Sequence, residues 1–332
     1  YKNLDSSQTT EDNFQVYKNE YSQNYPYVDI QSSSGTKVVT TLKRIISNTP
    51  TIKQTFTYYG AIYNMEGLGF LGFKGLAQSN WHTDGGDRVF NVSKFDPTLR
   101  GAMVEEYSLP YSFSFNSTPS DVISKVVYTN SSSISSNKVF KLSLDSSISN
   151  NYLDGVSITN SYNYDIYNNP EIITTNYSSG ETSTINSTYI NTTSSVYQIG
   201  KPLTEKKTVT IDGNSFSTEK HFTYSGNLAT QIKTKGNGTE FDTETFTYDI
   251  YGNITKKIVT PYNTPSREVR FEYDNSGRFL KKSIDIEGLA TNYLYNTNTG
   301  TLTTETNPFG QVTNYLYDPW NRMVKITDYL GK

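Results

Sequence analysis

Residues 307–318 read NPFGQVTNYLYD, and this segment is the clearest indication of the fold class. The leading asparagine opens a turn because its short side chain bonds its own backbone, and Pro308 presets φ at the next position. Gly310 supplies the positive φ that closes the turn. The residues after it alternate, so that Tyr315 and Tyr317 share one face of a strand, and an aspartate then opens another turn. Only about seven residues separate one turn from the next, which leaves no room for a βαβ crossover. Adjacent strands are therefore predicted to be antiparallel.

The same turn recurs at nearly constant intervals in the C-terminal part of the chain. Six Asp or Asn residues open turns at spacings of 11, 11, 11, 11 and 10 residues. Each is followed by a residue that tolerates positive φ. The openers are Asp274, Asp285, Asn296, Asn307, Asp318 and Asp328, and the closers are Gly277, Gly288, Gly300, Gly310, Asn321 and Gly331. This rhythm predicts a meander of hairpins, with a bulge where the left-handed residue redirects the chain.

Two kinds of turn alternate, so the repeating unit is a two-strand hairpin. The first kind follows a tyrosine and ends on Arg278 or Arg322, and these arginines are expected to stack on neighbouring tyrosines. The second kind lacks the tyrosine. The pattern continues toward the N-terminus with less regular spacing. The residues predicted to shape the repeat turns, as structural positions, are Tyr248, Asp249, Gly252, Tyr273, Asp274, Gly277, Arg278, Asp285, Gly288, Asn296, Gly300, Asn307, Gly310, Tyr317, Asp318, Arg322, Asp328 and Gly331.

Composition favours the same fold class. Of 332 residues, 114 are Ser, Thr or Asn and 28 are Tyr, whereas only five are Ala. Such a chain is typical of strands joined by turns rather than of helical bundles or doubly wound α/β domains. The sequence therefore predicts an all-β protein, an antiparallel hairpin meander.

Charge and cysteine content exclude several classes of function. The net charge is −3 and no basic stripe occurs, so nucleic-acid binding is not expected. The absence of cysteine removes disulfides, zinc–thiolate sites and cysteine nucleophiles. No segment is apolar enough to span a bilayer as a helix. The chain starts at Tyr1 and stops just after a repeat turn, and we expect it to be a fragment of a longer protein.

Few residues carry chemistry in a recognisable arrangement. His82, Asp84 and Asp87 lie close in sequence and present a possible metal site, although Asp-Gly-Gly-Asp is also an ordinary hairpin tip. His221 stands on a predicted strand as a wall residue. The adjacent pair Glu105-Glu106 would point to opposite faces of a strand. No hydrolase, zincin, phosphate-loop or dinucleotide motif occurs, so no enzyme activity, catalytic residue, cofactor or metal is predicted.

The repeat unit, Tyr-Asp-x-x-Gly-Arg followed by Asn-Pro-x-Gly-x-x-Thr-x-Tyr-x-Tyr, resembles the YD repeat of RHS proteins. The resemblance is strongest over residues 248–332. A second resemblance covers residues 55–107, where Gly67-Leu68-Gly69-Phe70 and its surroundings are similar to a segment of insecticidal toxin-complex B subunits and SpvB-like proteins. In those proteins this segment precedes YD repeats. The order predicts a β-rich pre-repeat segment over 1–110 and an RHS/YD-repeat sheet over 111–332, truncated mid-repeat.

The resemblance implies a curved, spiralling β-shell that encloses or presents a cargo domain, in many RHS proteins a toxin, encoded elsewhere in the chain. The expected partners are then the cargo and other parts of the same shell, and the expected location is extracellular, either secreted or at the cell surface. The alternative is a cell-surface adhesin that binds carbohydrate or a protein through its aromatic repeats, because aromatic faces stack on sugar rings. Tyrosine also suits a single-layer wall, since it combines an apolar body with a polar tip.

Overall fold

A computed structural model of the chain describes residues 1–20, 23–116, 121–194 and 197–332. The ordered elements are β-strands, apart from one 3₁₀ turn over Pro97–Leu99 within the described ranges. The predicted fold class, an all-β antiparallel meander, is confirmed. No helix in these ranges has the length and hydropathy needed to cross a membrane. The chain divides into two compact units: residues 1–185 with 209–214 form unit 1, and residues 186–208 with 215–332 form unit 2.

Thirteen strands lie entirely within unit 1. These strands are β1 Lys2–Leu4, β2 Tyr17–Lys18, β3 Tyr27–Asp29, β4 Ser33–Val38, β5 Thr41–Arg44, β6 Ile52–Asn64, β7 Gly69–Ser79, β8 Val89–Asp96, β9 Ala102–Pro110, β10 Ser124–Ile134, β11 Phe140–Asn151, β12 Val156–Tyr164 and β13 Pro170–Tyr177.

Three strands contain residues of both units: β14 Thr182–Thr192, β15 Gln198–Ile211 and β16 Asn214–Ser225. Nine more belong to unit 2. These are β17 Leu228–Lys235, β18 Asp242–Tyr248, β19 Ile254–Thr260, β20 Arg267–Tyr273, β21 Leu280–Ile284, β22 Ala290–Tyr295, β23 Leu302–Thr306, β24 Val312–Tyr317 and β25 Met323–Thr327. Their lengths of five to eight residues agree with the sequence-based expectation.

Strand β6 pairs with four other strands of unit 1. One edge of β6 pairs with β7 along most of its length, and β7, β8, β9 and β10 continue the antiparallel ladder. The other edge is shared by three short strands: β5 pairs with the start of β6, β2 lies parallel to its middle, and β3 pairs with its end. The residues before β6 therefore cover the sheet edge that β7 leaves open.

The hydrophobic core of the described chain lies in unit 1. One cluster contains Tyr59, Ala77, Phe90, Val92, Tyr107, Leu109 and Phe115, and a second contains Leu4, Val16, Tyr17, Val38 and Ala61. The N-terminal segment contributes to the second cluster and also packs Phe14 against the first. Burial of these side chains, each worth about 1.5–3 kcal/mol, holds the segment on the sheet.

Unit 2 is a plain meander without a core. Each strand from β17 to β25 pairs antiparallel with the next strand in the chain. None of its described residues is fully buried, and in β18, β20, β22 and β24 the aromatic positions are half-buried while the residues between them are exposed. Unit 2 is therefore a single-layer sheet, and the predicted boundary at residue 110 stays a prediction.

Candidate functional site

The openers of the repeat turns hold their own turns closed. In most of them one side-chain oxygen accepts hydrogen bonds from the backbone N–H groups two and four residues later, as Asp318 does from Trp320 and Arg322, each at 2.9 Å. The same pair of bonds occurs at Asp249, Asp285, Asn307 and Asp328. Asp274 instead accepts from the backbone N–H groups four and five residues later and from the hydroxyl of Ser276. These side chains cap backbone and do not converge on one site.

The closers take the left-handed conformation that the sequence indicates. Gly252, Gly277, Gly288, Gly300, Gly310, Asn321 and Gly331 have φ between 59° and 87°. Gly300 stands one position later in its turn than the others, and its N–H accordingly reaches the carbonyl of Asn296 four residues back at 2.8 Å. The tyrosine class of turns has an additional bulge just outside the turn, where the register shifts at Tyr248, Tyr273, Tyr295 and Tyr317. In the other class the strands pair in register, and the expected bulge lies within the turn itself: the N–H of Gly288 bonds the carbonyl of Asp285 at 3.1 Å, while the N–H of Asp285 bonds the carbonyl of Leu289 at 3.0 Å.

The two arginines of the repeat also behave differently from the expectation. The guanidinium of Arg278 lies over the ring of Phe279, 5.1 Å from the ring centroid. Arg322 donates from Nε to the carboxylate of Asp318 at 2.7 Å. Neither arginine stacks on a tyrosine in these contacts, because each side chain folds back onto its own turn.

Asp274 is expected to make the stability of unit 2 depend on pH in the acid range. Hydrogen bonds from Ser276 and from the backbone of Phe279 lower the pKa of Asp274 to about 2. A carboxylate with a lowered pKa stabilises the fold above about pH 4, and the contribution is lost as the pH falls toward about 2. We expect Asp274→Asn to flatten this loss, since Asn296 shows that an asparagine caps a turn of the tyrosine class without titrating. Urea unfolding above about pH 4 and between about pH 4 and 2 measures the loss of stability. An unchanged pH dependence in Asp274→Asn would show that Asp274 does not cause it.

Tyrosine hydroxyls connect one hairpin to the preceding hairpin. Tyr164 donates to the carbonyl of Leu144 at 2.8 Å, and Tyr248 donates to the carbonyl of Ala229 at 2.6 Å. In both cases the acceptor residue directly precedes the extra residue of a bulge. A bulge disrupts the ladder locally, and the tyrosine supplies a donor there. Burial raises the pKa of Tyr164, so its hydroxyl stays a protonated donor.

We expect Tyr248→Phe to lower the free energy of unfolding of unit 2 by about 1 kcal/mol, because the half-buried carbonyl of Ala229 loses its donor while the ring stays in place. Tyr251→Phe is the matched comparison. Its hydroxyl bond to the carbonyl of Asn275 is longer, at 3.2 Å, and its side chain is at an exposed turn tip, so we expect a smaller loss. Amide hydrogen exchange of β17 and β18 measures both. Equal effects of the two variants would show that the bulge carbonyl needs no donor.

Neighbouring turns of the tyrosine class also contact each other. The ring of Tyr251 lies directly against Gly277, where an added Cβ would come within 2.3 Å of the ring atom Cδ2. Asn253 donates from its side chain to the carbonyl of Gly277 at 2.8 Å. The turn after β18 is therefore fitted to the turn after β20 along one edge of the sheet.

The histidine loop of unit 1 forms a buried ionic cluster instead of a metal site. Asp12, whose side chain is 8% exposed, accepts from Lys53 Nζ at 2.7 Å and from His82 Nε2 at 3.1 Å. Although burial opposes it, the hydrogen bonds from Lys53 and Thr55 lower the pKa of Asp12. Asp84 turns to Lys53 at 2.6 Å, so His82, Asp84 and Asp87 do not gather around one point. No group of three or more metal-ligating side chains occurs in the part of the chain that the structure describes.

The cluster superficially resembles a Ser–His–Asp arrangement. Ser79 Oγ lies 3.4 Å from Nδ1 of His82, whose Nε2 faces Asp12. However, Ser79 is fully buried, its hydroxyl donates to the carbonyl of Asn80, and it accepts from the backbone of Thr55. A nucleophile must reach substrate and pass its proton to the histidine, and this hydroxyl does neither. The arrangement fixes the loop to β6.

The two other positions considered from the sequence are structural contacts. His221 bonds the carboxylate of Glu219 at 2.6 Å and packs its ring near Phe241. Glu105 pairs with Lys94 and Lys125, whereas the neighbouring Glu106 accepts from the hydroxyl of Tyr128.

Comparison with known proteins assigns the repeat. Residues 295–331 match the family model described as RHS Repeat. The chain contains an RHS repeat. The matched residues run from the end of β22 through β23, β24 and β25, where the turn residues follow the repeat most regularly. No curated protein matches the chain.

Solved structures share the fold of this chain. The crystal structure of TcdB2-TccC3 matches with a TM-score of 0.63 at 10% identity, over 84% of this chain and 22% of that one. The crystal structure of TcdB2-TccC3-Cdc42 matches with a TM-score of 0.62 at 10% identity, over 84% and 21%. The Tc holotoxin pore of Photorhabdus luminescens matches with a TM-score of 0.63 at 10% identity, over 84% and 21%. The chain thus spans about a fifth of the length of these structures.

Sequence reasoning missed the buried ion-pair partners Asp12 and Lys53. Asp12 stands in a polar N-terminal stretch, and nothing near it in sequence marks it as buried. Lys53 offered a signal, because a lysine inside the long strand β6 requires an ionic partner when that strand is buried. The identity of the partner, 41 residues away, depends on how the N-terminal segment returns to the sheet.

Proposed function

We propose that this chain is a non-enzymatic structural part of a secreted or cell-surface RHS shell that encloses or presents a cargo domain, a toxin, carried by the same protein. The observation that carries the proposal is the single-layer construction of unit 2. Its strands pair edge to edge in chain order, and none of its described residues is fully buried. Such a sheet lacks a core of its own, and separating two spaces is a function that it can perform.

Polar bonds between hairpins suit this role. Backbone pairing leaves no break between successive strands from β17 to β25, and tyrosine hydroxyls add bonds at the bulges. The half-buried tyrosines suit a face in contact with either water or protein, because each combines an apolar ring with a polar hydroxyl. In this proposal residues 1–110 form the pre-repeat segment and residues 111–332 form the wall, whose partners are other parts of the shell and the cargo.

The fold likeness to Tc toxin structures supports the proposal. These include a holotoxin pore, and the match extends over 84% of this chain. The likeness concerns the fold, and the enclosing role is inferred from it together with the single-layer sheet.

Two adjacent residues of β24 test enclosure directly. Thr313 and Asn314 are neighbours on a strand and therefore project from opposite faces. Because the chain has no cysteine, Thr313→Cys and Asn314→Cys each provide one reactive thiol. In the intact protein that carries these residues, free of other cysteines, we expect a small maleimide to label both variants. A maleimide joined to a large polymer should label only the variant on the outer face.

The result depends on the intact assembly, so the same two variants after denaturation are the control. There both reagents must label both thiols. Equal labelling of both native variants by the bulky reagent would overturn the enclosing role.

A second candidate function, binding of carbohydrate or a protein at the cell surface, is favoured by exposed aromatic turn tips. Phe309 and Trp320 are each 80% exposed, and both lie in turns of the repeat. Exposed rings that stack on sugars would serve an adhesin. Glycan-array binding that Trp320→Ala abolishes would support this function, and an array without binding would remove it.

A further inference from the structure

A cavity of about 210 Å³ opens in unit 1, and neither the repeat nor the wall requires it. It lies between the N-terminal segment, strand β6 and the residues that follow β9. The lining residues are Phe14, Gln15, Lys18, Thr57, Phe113, Ser114 and Phe115. Drug-sized ligands occupy roughly 300–1,000 Å³, so this cavity fits a smaller molecule.

Its aromatic wall is held in place by packing behind it. Phe115 stacks on Tyr59 with ring centroids 5.1 Å apart, and Phe113 meets Phe115 edge to face at 5.3 Å. Phe115 also lies against Gly75, where a Cβ would come within 2.6 Å of the ring. The wall is therefore preorganised, which favours a flat apolar ligand.

Thr57 lines this cavity and carries a buried hydroxyl without a hydrogen-bond partner among the described residues. Its side chain is on the buried face of β6 and the residue is only 4% exposed. Its Oγ1 has no hydrogen-bond partner among the described residues, although nearly all buried polar atoms have one. A ligand that accepts a hydrogen bond would satisfy it.

Lys18 adds a cation at the same cavity. Strand β2 pairs parallel with β6 so that Lys18 lies opposite Tyr59, two residues from Thr57. Paired residues share a face of the sheet, and Thr57 and Tyr59 share that face because they are two positions apart. The ammonium of Lys18 and the hydroxyl of Thr57 thus belong to the same side of β6 as the phenylalanine wall.

We propose that this cavity binds a small aromatic carboxylate. The ring lies among Phe14, Phe113 and Phe115, and the carboxylate takes the ammonium of Lys18 and the hydroxyl of Thr57. An apolar wall with a few convergent polar groups is the general form of small-molecule sites. A charge-assisted bond to Lys18 supplies the preference for an anion. This binding is independent of the proposed enclosure.

Isothermal titration of the 332-residue chain with phenylacetate tests the proposal. We expect saturable binding to the wild type, weakened about tenfold in Lys18→Met, which keeps the length of the side chain and removes its charge. Thr57→Val, which keeps the shape and removes the hydroxyl, should weaken binding severalfold. Phenylacetamide, which lacks the charge, should bind the wild type about as weakly as phenylacetate binds Lys18→Met.

Lys220→Met, at an exposed lysine of unit 2, is the matched control and should bind phenylacetate like the wild type. Thermal unfolding without ligand verifies that Thr57→Val is folded. The absence of saturable binding by the wild type would overturn the proposal, and it is the result expected if only water fills the cavity. Equal affinity of the wild type, Lys18→Met and Thr57→Val would overturn it as well.

Discussion

Replacing Gly277 by alanine is expected to destabilise unit 2 by about 3 kcal/mol, the largest effect of a single methyl group in this sheet. Two causes add. Gly277 has a φ of 69°, and the left-handed conformation costs a residue with a Cβ roughly 1–2 kcal/mol. The new Cβ would also lie 2.3 Å from Cδ2 and 2.6 Å from Cγ of Tyr251, so the ring must move. Such overpacking costs roughly 1–3 kcal/mol.

Gly288→Ala separates the two causes. Gly288 closes a turn of the other class with a φ of 77°, and no atom lies within 4 Å of its missing Cβ. Its replacement therefore introduces the backbone strain alone, and we expect a loss of about 1–2 kcal/mol. Urea unfolding, with amide hydrogen exchange of β18 to β21 to localise the change, measures both variants.

Tyr251 supplies a further check on the clash. In a Tyr251→Ala background the space beside Gly277 is empty, so Gly277→Ala should cost only as much as Gly288→Ala does. The coupling between the two sites should reach about 1–3 kcal/mol. Equal losses in Gly277→Ala and Gly288→Ala, or no coupling with Tyr251, would show that adjacent turns do not fit against one another.

The turns themselves were predictable because their chemistry is local. Asp318 and Asn321 are three residues apart, and the hydrogen bonds of such a turn depend on side chains that reach their own backbone. The antiparallel order of strands followed from the short spacing between turns. The additional register shift beside the tyrosines of the first class was not predictable, because register depends on how the next strand pairs as well as on the turn residue.

Contacts across the fold could not be derived in the same way. The fit of Tyr251 to Gly277 joins two turns that sequence reasoning treated as separate copies. Likewise, Thr57 is an ordinary polar residue of an alternating strand in the sequence, and only the packing of Phe113 and Phe115 over β6 encloses it. Side chains of this kind depend on the path of distant segments, which composition and periodicity do not specify.

The ionic cluster of unit 1 gives the second large effect: Asp12→Ala is expected to destabilise this unit by about 3–5 kcal/mol. The carboxylate is the shared acceptor of Lys53, Thr55 and His82, and Lys53 is itself 7% exposed. Removing it leaves a buried ammonium with only Asp84, whose side chain is 90% exposed. An uncompensated buried charge costs far more than the pair contributes.

Glu11→Ala is the matched control, since the adjacent residue makes an ion pair of the same kind at the surface. Glu11 lies 3.0 Å from Lys43, with side chains 44% and 47% exposed. Exposed pairs contribute about 0–1 kcal/mol, so Glu11→Ala should change the unfolding free energy little. Thermal and urea unfolding of the two variants, with hydrogen exchange in β6 and β7, provide the comparison.

Removing both charges distinguishes a buried pair from simple loss of packing. In Asp12→Ala/Lys53→Met no charge is left without a partner, so the double variant should be more stable than Asp12→Ala alone. Lowering the pH should destabilise unit 1, as Asp12→Ala does. The pKa of Asp12 is lowered, so its contribution is present above about pH 4 and is lost as the pH falls below that value. A double variant less stable than Asp12→Ala would mean that the ammonium of Lys53 is compensated by Asp84 and does not depend on the buried carboxylate.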